Sequence, residues 1–198
     1  MIKLYLIRHS KTYGNTLGRY IGRQTDEPLC EEGIQLLNIR QYPEVQQVFV
    51  SPMLRCLQTA KHIYPDKPSQ IVDELAECDF GAFENKNYKE LEGDVRYQEW
   101  IDSNGELPFP EGESRTEFMQ RSLKGFRWCV EHCISTHIDA AALVVHGGTI
   151  MSILDAMANP HEEYYHWQAK NACGYEITVD ESLWKQGTEQ VTVIKKIE

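Results

Sequence analysis

No apolar run in this 198-residue chain is long enough to cross a bilayer. The strand-like opening, Met1 to Ile7, is also too short to serve as the hydrophobic region of a secretory signal. The six cysteines (Cys30, Cys56, Cys78, Cys129, Cys133 and Cys173) contain no Cys-x-x-Cys pair. They read as reduced thiols, and the expected compartment is the cytoplasm. Cys78, Cys129 and Cys133 are a poor zinc set, so no metal and no cofactor are expected. Positive charge is scarce: 20 Lys and Arg stand against 30 Asp and Glu, a net charge of −10. A long polyanion would be repelled before docking, which argues against a nucleic-acid or anionic-membrane partner. No Pro/Gly/Ser-rich linker, repeat or low-complexity tract divides the chain. A single domain over 1–198 is expected, long enough to bury a substantial core.

Three segments pass from a strand-like run into chemistry. Leu4-Tyr5-Leu6-Ile7 ends in Arg8-His9-Ser10, and Ala141 to Val145 ends in His146-Gly147-Gly148-Thr149 before the apolar stretch Ile150 to Ala158. Val48-Phe49-Val50 leads to Ser51-Pro52, read as a helix N-cap and first turn, with Arg55 about one turn further. Each has a plainer reading when taken alone. Arg8-His9 can be a surface pair, His146 a satisfied core histidine, and Arg55 a solvated helix residue. Together they place two Arg and two His at strand ends, where open α/β sheets bind ligands. Arg supplies a permanently charged planar fork for phosphoryl oxygens, and a helix start after His146 offers free N–H groups to an anion.

Strands are expected near 2–7, 47–51, 69–72, 141–146, 174–179 and 190–197. Helices are expected near 31–41, 53–63, 114–135 and 148–158. This alternation implies an α/β three-layer sandwich with a mostly parallel sheet. The segment 78–112 reads as an insertion or lid over the active site, with Tyr88, Tyr97, Trp100 and Phe109 as possible lining or packing residues. Asn159 to His166 reads as an N-capped surface helix.

Several motifs in order resemble the histidine phosphatase superfamily, the phosphoglycerate mutase-like proteins, along nearly the whole chain. They are Arg8-His9-Ser10 with Thr12 and Asn15, Pro28-Leu29-Cys30-Glu31-Glu32-Gly33, and Ser51-Pro52-Met53-Leu54-Arg55-Cys56-Leu57-Gln58-Thr59-Ala60. Leu75 to Glu84, Pro110-Glu111-Gly112-Glu113-Ser114 and Val144-Val145-His146-Gly147-Gly148 complete the set. The resemblance implies that His9 attacks phosphorus, that Arg8, Arg55 and His146 hold the transferring oxygens, and that Glu77 is the proton donor. Asn15, Ser10 and Gly147 are secondary phosphate-binding candidates. Ser10 and Lys11 depart from the family pattern beside the pocket mouth.

Such chemistry requires an unprotonated attacking nitrogen on His9, its tautomer set by a hydrogen bond from a group the sequence does not identify. It also requires Glu77 to hold a proton near neutrality, with crowding by Glu74 and Asp79 and burial by Phe80 and Phe83 as the expected causes. The expected partner is a small phosphate ester. The oligomeric state stays open, a homodimer being one option. Hydrolysis is favoured over mutase-type transfer because the compact Phe83–Pro110 segment leaves little lid to exclude water. A phospho-ligand binding module and a metal-dependent hydrolase are the other classes. Glu77 to Tyr88, Trp100 to Asp102 and Leu107 to Pro110 are similar to the α-ribazole phosphatase branch of cobalamin nucleotide-loop assembly, which makes α-ribazole 5′-phosphate a candidate substrate.

Overall fold

The computed structural model describes residues 1–198. Six strands, β1 (Ile2–Arg8), β2 (Gln47–Val50), β3 (Ser69–Ile71), β4 (Ala140–Val145), β5 (Gly174–Val179) and β6 (Val191–Ile197), form one sheet in the order β3-β2-β4-β1-β5-β6. The first four strands run parallel, and β5 and β6 are antiparallel additions at one side. Gly174 makes the β1–β5 approach possible, because a Cβ there would lie 1.8 Å from the Leu6 carbonyl oxygen. The α-helices are α1 (Tyr13–Thr16), α2 (Glu31–Asn38), α3 (Leu54–Ile63), α4 (Val95–Asp102), α5 (Arg115–Thr136), α6 (Gly147–Met157) and α7 (Glu181–Lys185).

Strand alternation builds the layers. Leu4, Leu6, Phe49, Leu143 and Val145 pack with Phe126, Cys129, Val130, Ile150 and Ile153 of α5 and α6. Tyr5, Ile7, Val48, Val50, Ala142 and Val144 point to the other face and meet Cys56 and Ala60 of α3. The central strands are therefore apolar on both sides, as a sheet covered by helices on both faces requires. This is the expected three-layer α/β sandwich. No helix is long and apolar enough to cross a membrane.

Three local readings are corrected. Ser51 does not cap α3: the helix begins at Leu54, and the Leu54 N–H bonds instead to Asp26 Oδ1 at 2.7 Å. Arg55 is accordingly the second residue of the helix, inside its first turn. Asn159 to His166 is not an α-helix. The Asn159 N–H is drawn to Val191 O of β6 at 2.9 Å, and only a 3-10 turn forms, at Tyr164–Trp167.

Candidate active site

Parallel register brings the chemistry to one sheet edge. Arg8 stands opposite Val145, and Val50 opposite Val144, so three adjacent strands release Arg8-His9, His146 and Ser51 side by side. Pairing continues past the last regular residues: His9 N–H donates to Val145 O at 2.9 Å and Ser51 N–H to Val144 O at 3.1 Å. The His9 and His146 rings meet edge to face with centroids 5.2 Å apart.

His9 Nδ1 lies 2.7 Å from Ser10 O. A carbonyl oxygen only accepts, so Nδ1 carries the hydrogen and Nε2 keeps its lone pair. Burial, with Arg55 and Arg8 nearby, holds the His9 pKa well below its usual value, so the ring is neutral at neutral pH. The surrounding loop is pinned. Ser10 N–H donates to Thr59 Oγ1 at 3.0 Å, and Asn171 Nδ2 donates to His9 O at 3.1 Å and to Asn15 Oδ1 at 3.3 Å. The Ser10 hydroxyl is fully buried and donates to Gly33 O at 2.6 Å, which removes it from the phosphate-binding candidates.

His146 is fully buried, with Nε2 2.7 Å from Ser51 Oγ. The Met53 N–H also donates to that oxygen at 3.4 Å; a hydroxyl both donates and accepts, so Ser51 serves either ring tautomer and fixes the ring with Nδ1 turned to the opposite side. That atom faces Glu77 Oε2 at 3.6 Å. Burial and the Arg55 charge hold the His146 pKa well below normal, so it too is neutral, and in the tautomer in which Ser51 donates to Nε2 it offers an Nδ1–H donor. Ser51→Ala removes the Nε2 partner that orients the His146 ring and should lower kcat about tenfold, with the fold intact by circular dichroism.

Arg55 is fully buried, its Nη1 donating to Thr25 O at 3.0 Å and its Nη2 to Ile21 O at 3.2 Å and Gly22 O at 3.1 Å. Arg8 Nη1 donates to Ala169 O at 2.8 Å. Neither guanidinium has a carboxylate within ion-pair distance, and Nε of each is buried without a partner. A fully buried Arg55 and a half-buried Arg8, neither paired with a carboxylate, stand beside a neutral His pair, an arrangement that is costly unless an anion completes it. Asn15 and Gly147 line the same cavity as Arg8 and His9.

Glu77 is 8% exposed, and burial raises its pKa above the usual carboxylate range although Arg55 and Arg8 oppose the shift. Neither acidic neighbour is the cause. Glu74 pairs with Lys124 at 3.0 Å and Asp79 accepts from Gln24 at 2.7 Å. Gly148 stands against the carboxyl: a Cβ there would sit 3.3 Å from Glu77 Oε1 and 2.9 Å from the Phe118 ring. The Glu77 backbone is held from below by Arg121, which donates to the carbonyls of Glu74, Ala76 and Glu77 and grips Glu113 through both carboxylate oxygens. Arg121→Met should destabilise the fold by about 3 kcal/mol in urea titration, because it orphans these acceptors and a half-buried carboxylate together.

Arg8, His9, Asn15, Glu77 and Gly147 open into a cavity of about 330 Å³ whose outer wall includes Tyr20, Phe80, Trp100, Phe109 and Tyr165, while Arg55 and His146 are fully buried and do not line it. Tyr97 packs behind this wall, its ring centroid 5.3 Å from that of Phe83, and Tyr88 is 64% exposed and does not reach the cavity. Thr59, Asn171 and Arg121 are supporting residues that the sequence reading did not single out. Thr59 lay inside the Ser51–Ala60 motif, whereas Asn171 and Arg121 carried no local signal, their bonds spanning 162 and 44 residues.

Residues 4–189 match the model of the histidine phosphatase superfamily, branch 1. The chain belongs to this superfamily. Among curated relatives, a Hydrogenobacter thermophilus protein provisionally named phosphoserine phosphatase 2 is 31% identical over 78% of this chain and 77% of its own. The adenosylcobalamin/α-ribazole phosphatase of Escherichia coli is 28% identical over 92% of each chain. The solved α-ribazole phosphatase of Shigella flexneri superimposes with a TM-score of 0.81 at 23% identity, covering 100% of this chain and 96% of that one, a likeness of fold.

Proposed function

We propose that this histidine phosphatase is a metal-independent phosphomonoesterase that hydrolyses a small phosphorylated metabolite through a phosphohistidine on His9. The observation that carries the reading is the Nδ1 bond to Ser10 O, which leaves Nε2 of a neutral imidazole free beside the Arg8 and Arg55 guanidinium groups. Nε2 attacks phosphorus while the bond to the ester oxygen breaks, and Glu77 gives its proton to the departing oxygen. Arg8, Arg55, the His146 Nδ1–H, Asn15 and the Gly147 N–H stabilise the charge on the three equatorial oxygens. Water then attacks the phosphohistidine, Glu77 takes its proton, and inorganic phosphate leaves with His9 restored.

In this reading 78–112 forms the lid over the leaving group. Hydrolysis is favoured over mutase-type transfer because α4, which supplies Trp100 to the wall, contains no buried residue and seals little against water. The aromatic wall suits a leaving group with flat or apolar surface, which keeps α-ribazole 5′-phosphate, the substrate class named for the Escherichia coli relative, among the candidates beside phosphoserine. The test is phosphate release from α-ribazole 5′-phosphate, phosphoserine, 3-phosphoglycerate and 4-nitrophenyl phosphate, with and without EDTA. Activity that survives chelation is expected. Activity abolished by EDTA and restored by a divalent cation would replace this mechanism with a metal-dependent one.

A further inference from the structure

Arg115 stands at the outer part of the cavity and has no assigned partner in the mechanism. It is the first residue of α5, following the Ser114 cap. A cation is electrostatically disfavoured at the N-terminus of a 22-residue helix, where the backbone dipole is positive. The carboxylates around it do not neutralise it. Glu111 faces Arg96 at 3.6 Å, Glu113 is held by Arg121 at 2.8 Å, and Glu117 is turned back onto Ser114 as a capping box at 2.7 Å. Instead the guanidinium lies over the Tyr164 ring, 4.0 Å from its centroid, with Tyr165 at 5.9 Å. Stacking fixes the plane of the fork and leaves its N–H edge free, since no protein acceptor is bonded to it.

Arg115, Tyr164 and Tyr165 line the same cavity as His9, Arg8 and Glu77. The other outer cation, Arg19, is already paired with Glu90 at 2.7 Å. The phosphoryl group is provided for by Arg8, Arg55 and His146, and the ester oxygen by Glu77. We propose that Arg115 is a second anion site, which holds a carboxylate on the leaving group in a bidentate fork. This rests on the phosphomonoesterase reading and narrows it: the preferred substrates are phosphate monoesters of hydroxy acids. A charge-assisted bidentate contact of this kind discriminates on the order of 10- to 100-fold.

The test compares two esters that differ at one carbon, 3-phosphoglycerate with a carboxylate and glycerol 1-phosphate with a hydroxymethyl group in its place. For the wild type, kcat/KM is expected to favour 3-phosphoglycerate, and in Arg115→Gln this ratio should fall 10- to 100-fold, with partial recovery in Arg115→Lys. Calorimetric binding of both esters to His9→Ala, with and without Arg115→Gln, reads the same discrimination without turnover. Absence of phosphate release by the wild type would refute the phosphatase reading, and the binding ratio would still decide the Arg115 site. A ratio unaltered by Arg115→Gln, or a wild type indifferent to the carboxylate, would overturn the proposal.

Discussion

His9→Ala is expected to reduce phosphate release from every ester by about 10⁴-fold or more, with substrate binding retained. The size of the effect follows from the geometry. In a single-displacement mechanism His9 would be one donor among several, and its loss would cost what one hydrogen bond to a charged oxygen costs, on the order of 10- to 100-fold. As the attacking group it is the bond that forms. In the proposed mechanism the two arginines, His146 and the start of α6 would still hold the phosphoryl group in the variant, so KM should change far less than kcat. The comparison is made by steady-state kinetics on 4-nitrophenyl phosphate, where the leaving group needs no acid and the nucleophilic step is isolated. A loss of only tenfold would remove His9 as the nucleophile.

Glu77→Gln should produce the second largest effect, and one that depends on the leaving group. Alkyl phosphates should slow by 10²- to 10⁴-fold, because an alkoxide is a poor leaving group without a proton. The 4-nitrophenyl ester, whose leaving anion is already stable, should slow much less in the phosphorylation step. The pH profile supplies a separate readout. Burial raises the Glu77 pKa, so the proton needed for catalysis is held above the ordinary carboxylate range and lost as pH rises through the raised value. Burial and the two arginines lower the His9 pKa, so its lone pair is available down to a pH below the usual histidine range. A bell-shaped profile is therefore expected, with the acid limb belonging to His9 and the alkaline limb to Glu77. Glu77→Gln should abolish the alkaline limb and leave the acid one. An equal slowing of alkyl and 4-nitrophenyl esters with an unaltered profile would deny Glu77 the role of acid.

The parts of the fold legible in the sequence are those written in apolar runs. β1, β2 and β4 are short hydrophobic strands, buried on both faces, and each ends abruptly in a polar functional residue, so both strand and strand end could be read. Helix α4 left no such trace, since none of its residues is buried, and α1 is a four-residue turn held by the Thr12–Asn15 capping box. The candidate residues Arg8, His9, Arg55, Glu77 and His146 converge at one edge, but what each side chain does there depends on partners remote in sequence. Ser51-Pro52 reads locally as a helix cap; its hydroxyl is instead taken by His146, 95 residues away. Ser10 looks like an extra phosphate donor until Gly33 is placed beneath it. The raised pKa of Glu77 comes from burial, with Gly148 of α6 against its carboxyl more than 70 residues further along the chain, and not from the acidic side chains adjacent to it.

The most direct test of the phosphohistidine mechanism is rapid-quench trapping of the enzyme during turnover, followed by identification of the phosphorylated atom. The Ser10 carbonyl occupies the Nδ1 side of His9, so an acid-labile, alkali-stable adduct on Nε2, 3-phosphohistidine at position 9, is predicted. Phosphate on Nδ1 of His9, on any other residue, or on no residue at all while turnover proceeds would contradict it.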